Sequence, residues 1–395
     1  MKVSVVAFDL ADNATGRADL LARLLAPRYD VQVVGPQFGD TLWRPAQGGA
    51  VAHQPVRAIS DRPLRVTPHR LLPGTRYPRF AARIPELLRA IDGDLVYASK
   101  PRATSFGLGL LKQLATRRPL LLDIDDWELG FFYRSGWWGR LGRGLNVSNP
   151  NGLPWTWLME RLVPLAHGVT VASRFLQTRF GGTLIPHVRD VDAWRPGAFD
   201  PAVARERLRA GAARIVMFLG TPRGHKGVDD LIEAVRRLAR PDVLLALVGA
   251  GARYGGAPWL RTTDEIPFEE VPLYLAAADV VVVPQRATSD TLGQVPAKLF
   301  DAMALGRPIV STRVSMIPEI LEGCGLLVEP GDPQALAAAI ARLLDRSGEA
   351  LELGRAARAR CEAEYSFATA RARLFPLVED ALAAGESRTR EHRRR

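Results

Sequence analysis

The stretch RIVMFLGTPRGHKGVDDLIEAVRRLAR, residues 214–240, decides the fold. Its first six residues are short, apolar and partly β-branched, and they read as a strand over 214–219. A turn carrying Gly220 and Gly224 comes next, and a helical pattern over 227–239 follows it. The same theme continues downstream. Strands are expected at 243–249, 279–283, 308–312 and 325–328, and helices at 269–277, 296–305, 332–346 and 350–364. Upstream, VSVVAF, LVYAS and GVTVAS mark strands within 2–8, 94–98 and 168–172. Further strands are expected at 31–34, 119–124 and 183–186, with helices at 17–26 and 104–117. Strands alternating with helices imply parallel sheets covered on both faces. No motif of 20–50 residues recurs at fixed spacing, which excludes a solenoid.

Residues 187–201 join one α/β run to another and contain Pro196, Gly197 and Pro201. The chain is therefore expected to form two doubly wound α/β domains facing each other across a cleft. Ligands of such sheets bind beyond the carboxyl ends of the strands, so functional side chains are sought in the loops there.

Composition narrows the function classes. With 395 residues, 47% hydrophobic and 24% charged, the chain is an ordinary globular protein with enough length for a core. Cys324 and Cys361 are its two cysteines, which leaves no disulfide framework and no cysteine-based zinc site. The longest uncharged apolar run, 243–252, is half the roughly 20 residues a membrane span needs. Asp9 and Asp12 arrive too early for a signal peptide, so a cytoplasmic location is expected. The net charge is +11, yet only five of the 53 basic residues are lysine, and five arginines sit in the last eleven residues. Such a charge suits an anionic substrate or an anionic membrane surface. Nucleic acid is not expected as a partner.

The turn GTPRGHKG, 220–227, combines close backbone approach at Gly220 and Gly224 with the following helix N-terminus and two cations, Arg223 and Lys226. That combination suits a phosphate or diphosphate. It is not a Walker loop, because no Gly-Lys-Ser/Thr ending is present. In GQVPAKLFDAMALG, 293–306, Pro296 suits a helix start and Gly306 a helix end. Lys298 and Asp301, three apart, share a face near that start. Such a lysine can hold phosphate and such a carboxylate a ribose diol. A plain surface ion pair is the alternative.

These motifs resemble the nucleotide-binding domain of GT4-type retaining glycosyltransferases, which have the GT-B fold. The resemblance rests on Gly220 to Lys226-Gly227, on Asp301-Ala-Met-Ala-Leu-Gly306-Arg-Pro308, on Pro318-Glu319, and on GLLVEPGD at 325–332. It covers residues 168–375, and Tyr365-Ser-Phe367 resembles the family's crossing into a last helix. It implies transfer of a sugar from a nucleoside-diphosphate sugar to a hydroxyl acceptor, with retention, no metal and no cofactor. It implies donor-diphosphate contacts from Gly220, Arg223, Lys226 and Lys298, and a donor-ribose contact from Asp301. The family's pair of glutamates eight apart falls here on Gly293 and Asp301, so the first carboxylate is missing and the second is shortened. The implied organisation is an acceptor-binding domain over 1–190, a donor-binding domain over 191–365, a helix over 366–384 returning to the first domain, and a frayed basic tail over 385–395.

The first half resembles the family less closely. PLLLDIDDWE, 119–128, ends a strand with four carboxylates. Asp125 and Asp126 are the catalytic candidates: carboxylates there can bind sugar hydroxyls or relay the acceptor's proton. A helix cap with solvated acids is the alternative. Gly16 and Arg17 follow the first strand, and Lys100 and Arg102 follow the strand at 94–98. All four are candidates for the acceptor side, the last two for an anionic acceptor. Residues 131–161 interleave Phe131, Phe132, Tyr133, Trp137, Trp138, Trp155 and Trp157 with Arg134, Arg140, Arg143 and Arg161. Such a segment suits peripheral contact with the inner membrane face, a lid over a lipid-linked, glycan or small-molecule acceptor, or a satellite core. The rivals to a transferase are another GT-B enzyme, such as a nucleotide-sugar epimerase-hydrolase or a phosphorylase, and a non-catalytic anion- or nucleic-acid-binding protein.

Overall fold

A computed structural model describes residues 1–11, 16–39, 65–71, 75–133, 144 and 146–393. Two compact units divide the chain. Among the described residues, the first takes in those up to Pro186 and those from Ala370 onward, and the second spans His187–Thr369.

Each unit is built on one parallel sheet. In the first, β1 (Lys2–Val6), β2 (Asp30–Gln37), β3 (Arg65–Arg70), β4 (Leu95–Ser99), β5 (Leu120–Ile124), β6 (Gly168–Val171) and β7 (Thr183–Leu184) lie in the order β3-β2-β1-β4-β5-β6-β7. In the second, β8 (Arg214–Leu219), β9 (Val243–Val248), β10 (Leu260–Thr262), β11 (Val280–Val283), β12 (Ile309–Thr312) and β13 (Leu326–Val328) lie in the order β10-β9-β8-β11-β12-β13. The two orders share one logic. The strand order reverses between β1 and β4 in one sheet and between β8 and β11 in the other, and such switch points open the crevice where ligands bind.

The central strands β4, β5, β9 and β11 are buried along their whole length. Their branched and leucine-rich sequences follow from that, because helices cover both faces of a parallel sheet. In the second unit, helix Val228–Leu238 buries Val228, Leu231, Ala234 and Val235 against Val216, Phe218, Leu245 and Val282. These positions fall on one helical stripe, while Arg236 and Arg237 face away. In the GLLVEPGD motif, Gly331 has φ +80° and Asp332 caps helix Pro333–Asp345 by accepting from the Gln334 and Ala335 amides at 3.0 and 2.9 Å. That motif is therefore a turn and a cap.

Several elements lack a sequence signal. Strand β3 reads RVTPHR, an edge strand half open to solvent with Pro68 in it. Strand β10 has three residues. Helix Arg79–Ala90 carries Pro85 in its interior yet buries Phe80 and Leu87 one above the other. The last helix, Phe367–Arg393, covers the stretch read as a frayed tail as far as Arg393. Within the first unit its Phe375 meets Tyr29 edge-on at 6.2 Å, and Arg371 donates to the Leu24 carbonyl at 3.1 Å.

Candidate functional sites

The second unit concentrates cations at the carboxyl end of β8. Gly220 has φ +105°, and a Cβ there would lie 3.5 Å from Lys298 Nζ and 4.0 Å from Lys226 Nζ. Both ammonium groups thus converge on one bare piece of backbone. Gly227 closes the loop with φ +63°, and a Cβ on it would lie 1.8 Å from the Pro284 carbonyl oxygen, so no other residue fits. The loop passes through a 3₁₀ turn, Gly224–Lys226, before the helix begins at Val228.

The two lysines are held differently. Lys226 Nζ donates to the Thr221 carbonyl at 2.8 Å. Burial, with repulsion from Arg223, pushes it down to about 8 against a weaker pull from Glu265. Lys298 Nζ is buried, lies 3.8 Å from the centre of the Phe218 ring, and makes no hydrogen bond among the described residues. Burial and the Lys226 charge drive it well below the ordinary lysine range, and Asp301 opposes them. A buried ammonium without an acceptor is costly, and an anion at Gly220 would relieve that cost. Arg223 is exposed at the rim of the loop.

Asp301 is placed differently from the ribose contact expected of it. It is only 6% exposed and pairs with Arg189, which also donates to the Val188 and Ala297 carbonyls. Burial raises the Asp301 carboxyl, while Arg189 and Lys298 oppose that rise. Its role in this structure is to join the segment at Arg189 to helix Ala297–Ala304. His225 is buried with its Nδ1 3.1 Å from Asp290 Oδ2. Its carbonyl accepts the Arg286 amide at 2.8 Å, and Arg286 clasps Asp230 through two bonds of 2.7 and 2.6 Å. These contacts tie the loop after β11 to the loop after β8. Arg189, Asp290 and Arg286 carry no sequence signal, since each meets its partner 56 to 112 residues away.

The first unit gathers opposite charges at the ends of β4 and β5. Lys100 Nζ lies 3.1 Å from Asp125 Oδ1, 2.7 Å from Asp126 Oδ2 and 2.9 Å from Glu128 Oε1. Arg102 takes the other oxygen of Glu128, and donates at 2.7 Å both to the Asn151 carbonyl and to Thr156 Oγ1. Lys100 and Arg102 therefore meet the chain's own carboxylates instead of an anionic acceptor. Burial, with the Asp126 and Asp123 charges, raises the Asp125 carboxyl to about 7 against Lys100 and Arg17. Lys100 is buried, yet the three carboxylates hold it well above its ordinary range. The acid oxygens lie within 4.8 Å of one another, as a metal ion would require, but they already surround an ammonium.

Beneath this cage, Arg17 and Asp123 form a buried two-bond ion pair of 2.9 and 2.8 Å. Arg17 also donates to the Pro186 and Ile185 carbonyls, and Asp123 accepts from Thr170 Oγ1 at 2.6 Å. Arg17 is thus framework, not an acceptor contact. Gly16 opens helix Gly16–Leu25, and among the described residues nothing lies within 4 Å of a Cβ placed on it.

The aromatic segment divides. Trp137, Trp138, Arg134, Arg140 and Arg143 lie outside the described residues. Trp155 packs on Tyr77 at 4.9 Å and donates its Nε1–H to the Val147 carbonyl, as a satellite core would have it. Trp157 is 46% exposed, with the Arg161 guanidinium 4.0 Å over its ring. Among the described residues no helix is long and apolar enough to cross a membrane.

Known proteins resemble this chain at several levels. Residues 213–346 match the family described as glycosyl transferases group 1. A GDP-mannose-dependent alpha-(1-6)-phosphatidylinositol monomannoside mannosyltransferase of Mycolicibacterium smegmatis is 28% identical over 367 residues, 86% of this chain and 89% of its own. A D-inositol 3-phosphate glycosyltransferase of Corynebacterium glutamicum is 31% identical over 217 residues, about half of each chain. Among solved structures, Anabaena HepE in complex with UDP-glucose superposes with a TM-score of 0.71 at 19% identity, covering 96% of this chain and 100% of that one. Sucrose-phosphate synthase of Thermosynechococcus elongatus gives 0.69 at 18% identity, covering 97% and 100%.

Proposed function

The chain has the GT-B fold and matches the group 1 glycosyltransferases over residues 213–346, and from that premise we propose that it is a glycosyltransferase whose second unit holds the diphosphate of a nucleoside-diphosphate sugar while its first unit receives a hydroxyl acceptor. The observation that carries this reading is the unsatisfied ammonium of Lys298, buried beside Lys226 at the backbone of Gly220. Departure of the nucleoside diphosphate leaves negative charge on the β-phosphate. Lys226, Lys298 and Arg223 would stabilise that charge, and fixed cations in a water-poor site do so without reorganising at the moment of reaction. No metal or cofactor enters this reading, and the configuration at the transferred carbon is retained. The test is titration with UDP and GDP. Lys226→Ala or Lys298→Ala should weaken binding by about tenfold or more, the loss of one charge-assisted contact. Wild-type affinity in both variants would displace the site.

On the acceptor side, Asp125 near neutrality and Asp126 beside it would take the proton of the attacking hydroxyl. The acceptor is read as a polyol or glycan on a membrane lipid, reached from the cytoplasmic face. Support comes from the mycobacterial relative, named for a phosphatidylinositol monomannoside, and from the surface of the first unit. Trp157, Arg161 and Leu165 follow one another at four-residue spacing and are all exposed. Leu111 and Leu114 are exposed on helix Leu108–Thr116, whose Gln113 donates to the Leu165 carbonyl. Exposed rings and leucines beside arginine suit an anionic bilayer surface. Wild type should float with anionic liposomes and Trp157→Ser/Leu114→Ser should not. A wild type that stays at the bottom of the gradient favours a soluble acceptor.

A further inference from the structure

We infer that Lys100 is a positioning residue: its ammonium occupies the centre of the cage made by Asp125, Asp126 and Glu128, and holds the first two in the charge state and geometry that proton transfer from an acceptor requires. This rests on the reading of Asp125 and Asp126 as the acceptor-side carboxylates.

Three observations lead there. The ammonium touches one oxygen of each acid at 2.7–3.1 Å, so a single tethered cation links all three carboxylates. The backbone of Lys100 is left-handed, with φ +71°, a conformation a lysine adopts only when its surroundings impose it. They do so here. Its N–H donates to the Asp123 carbonyl at 2.8 Å, and its carbonyl accepts from the Arg102 amide at 2.8 Å and from Ser105 Oγ at 2.8 Å. The residue is thus bent into place at the end of β4, beside the point where the strand order reverses. Finally, the charges do not all serve the same end. Arg102 anchors Glu128 from the other side, and Arg17 and Asp123 neutralise each other below. Lys100 is the one cation bridging Asp125 and Asp126 among the described residues.

Removing it would leave three carboxylates against Arg102 in a buried space. Such a site takes up protons or captures a cation. Among the described residues, the charged and titratable groups facing the cage are Asp123, Arg17 and Tyr97 from below, Arg102 at its side, and Glu160, which lies near Glu128 and accepts the Leu129 amide.

The experiment uses the full chain with Lys100→Met, Lys100→Arg and Lys100→Met/Glu128→Gln, the last removing one charge of each sign so that the fold is spared. Turnover of Lys100→Met should fall by about 10²-fold, the scale of one acid–base group. Its acidic limb should move up by about one pH unit or more, with UDP and GDP affinity within twofold of wild type. Lys100→Arg should recover part of the rate. Independently of activity, Mn²⁺ titrated alone and followed by electron paramagnetic resonance should bind one ion per chain in Lys100→Met and none in wild type. Adding Asp126→Asn should abolish that binding. A folded Lys100→Met, or the double variant, with the wild-type rate and pH profile would overturn the inference, as would Mn²⁺ binding by wild type that Asp126→Asn removes. If wild type turns over no nucleotide sugar, the transferase reading fails, while the Mn²⁺ arm still decides whether Lys100 fills the cage.

Discussion

Replacing Lys298 by methionine should stabilise the free protein and cripple its ligand affinity together. Methionine keeps the unbranched stem against Phe218 and removes an ammonium that makes no hydrogen bond. An unsatisfied buried polar group costs about 1–3 kcal/mol, so the variant should gain about 1–2 kcal/mol at pH 7 in urea denaturation. The sign with pH follows from the depressed lysine. The folded protein resists protonating Lys298, whereas the unfolded chain protonates it below about 10.4. The penalty is therefore largest at low pH and fades as pH rises toward the unfolded value, and the gain on substitution should shrink in the same direction. Binding moves oppositely. Above pH 7 a nucleoside diphosphate is already ionised, so any proton taken up on binding goes to the protein. Wild-type affinity for UDP and GDP should weaken as pH passes about 8, the value for Lys226, by at most about tenfold per pH unit for each linked proton. Calorimetry in buffers of different ionisation enthalpy measures that uptake directly. A Lys298→Met protein that is less stable at every pH and binds UDP and GDP like wild type would refute the reasoning.

Other perturbations test the remaining parts of the two sites. Gly227→Ala would push a methyl into the Pro284 carbonyl at a left-handed position, and should lower stability by more than about 2 kcal/mol and disorder the diphosphate loop, read as lost UDP and GDP binding. Arg17→Met strands Asp123 in the interior and should cost about 3–5 kcal/mol in denaturation, while Arg17→Met/Asp123→Leu, with no charge left over, should recover most of it. Asp125→Asn should cut turnover while leaving nucleotide affinity unchanged. Wild-type kcat/KM should rise with pH through about 7 as the carboxyl ionises, and a wild-type limb that survives in the variant would assign that titration elsewhere.

The second unit was largely legible from its sequence because most of its elements announce themselves locally. RIVMFL is a strand over its expected six residues, and the helices after it fall within three residues of their expected bounds. Strand β3 and helix Arg79–Ala90 were not legible. An edge strand open to solvent needs no apolar alternation, and Pro85 sits on the side of its helix away from the core, where tertiary burial of Phe80 and Leu87 outweighs it. The sites show the same division. The loop 220–227 and Lys298 could be read as an anion site from residue types alone. The fate of Asp301 could not, because its partner Arg189 lies 112 residues away. Lys100 and the acids after β5 were each visible, but as separate features awaiting outside partners. Only the adjacency of β4 and β5, in register from Val96 with Leu120 to Ser99 with Asp123, shows that they satisfy each other. Consecutive strands commonly pair, so the signal was within reach.

The two switch points carry opposite electrostatic designs, and the choice of lysine at both explains why. Only five of the chain's 53 basic residues are lysine, yet three of those five are Lys100, Lys226 and Lys298. Elsewhere arginine does the structural work, clasping Asp123, Asp230 and Asp301. Its planar fork suits one carboxylate at a time, and its charge cannot be discharged. A cage of three carboxylates around one point suits a compact ammonium, which at Lys100 donates to Asp126 and lies within ion-pair distance of Asp125 and Glu128. At β8 the need is different. Two cations must coexist in the absence of an anion, and lysine can relieve their repulsion by shedding a proton where arginine cannot. The charge at Lys298 and Lys226 is thus available in proportion to the anion that calls for it, whereas the charge at Lys100 is already spent on its neighbours. Net charge of the chain says nothing of either arrangement; the identity of the cation at three positions does.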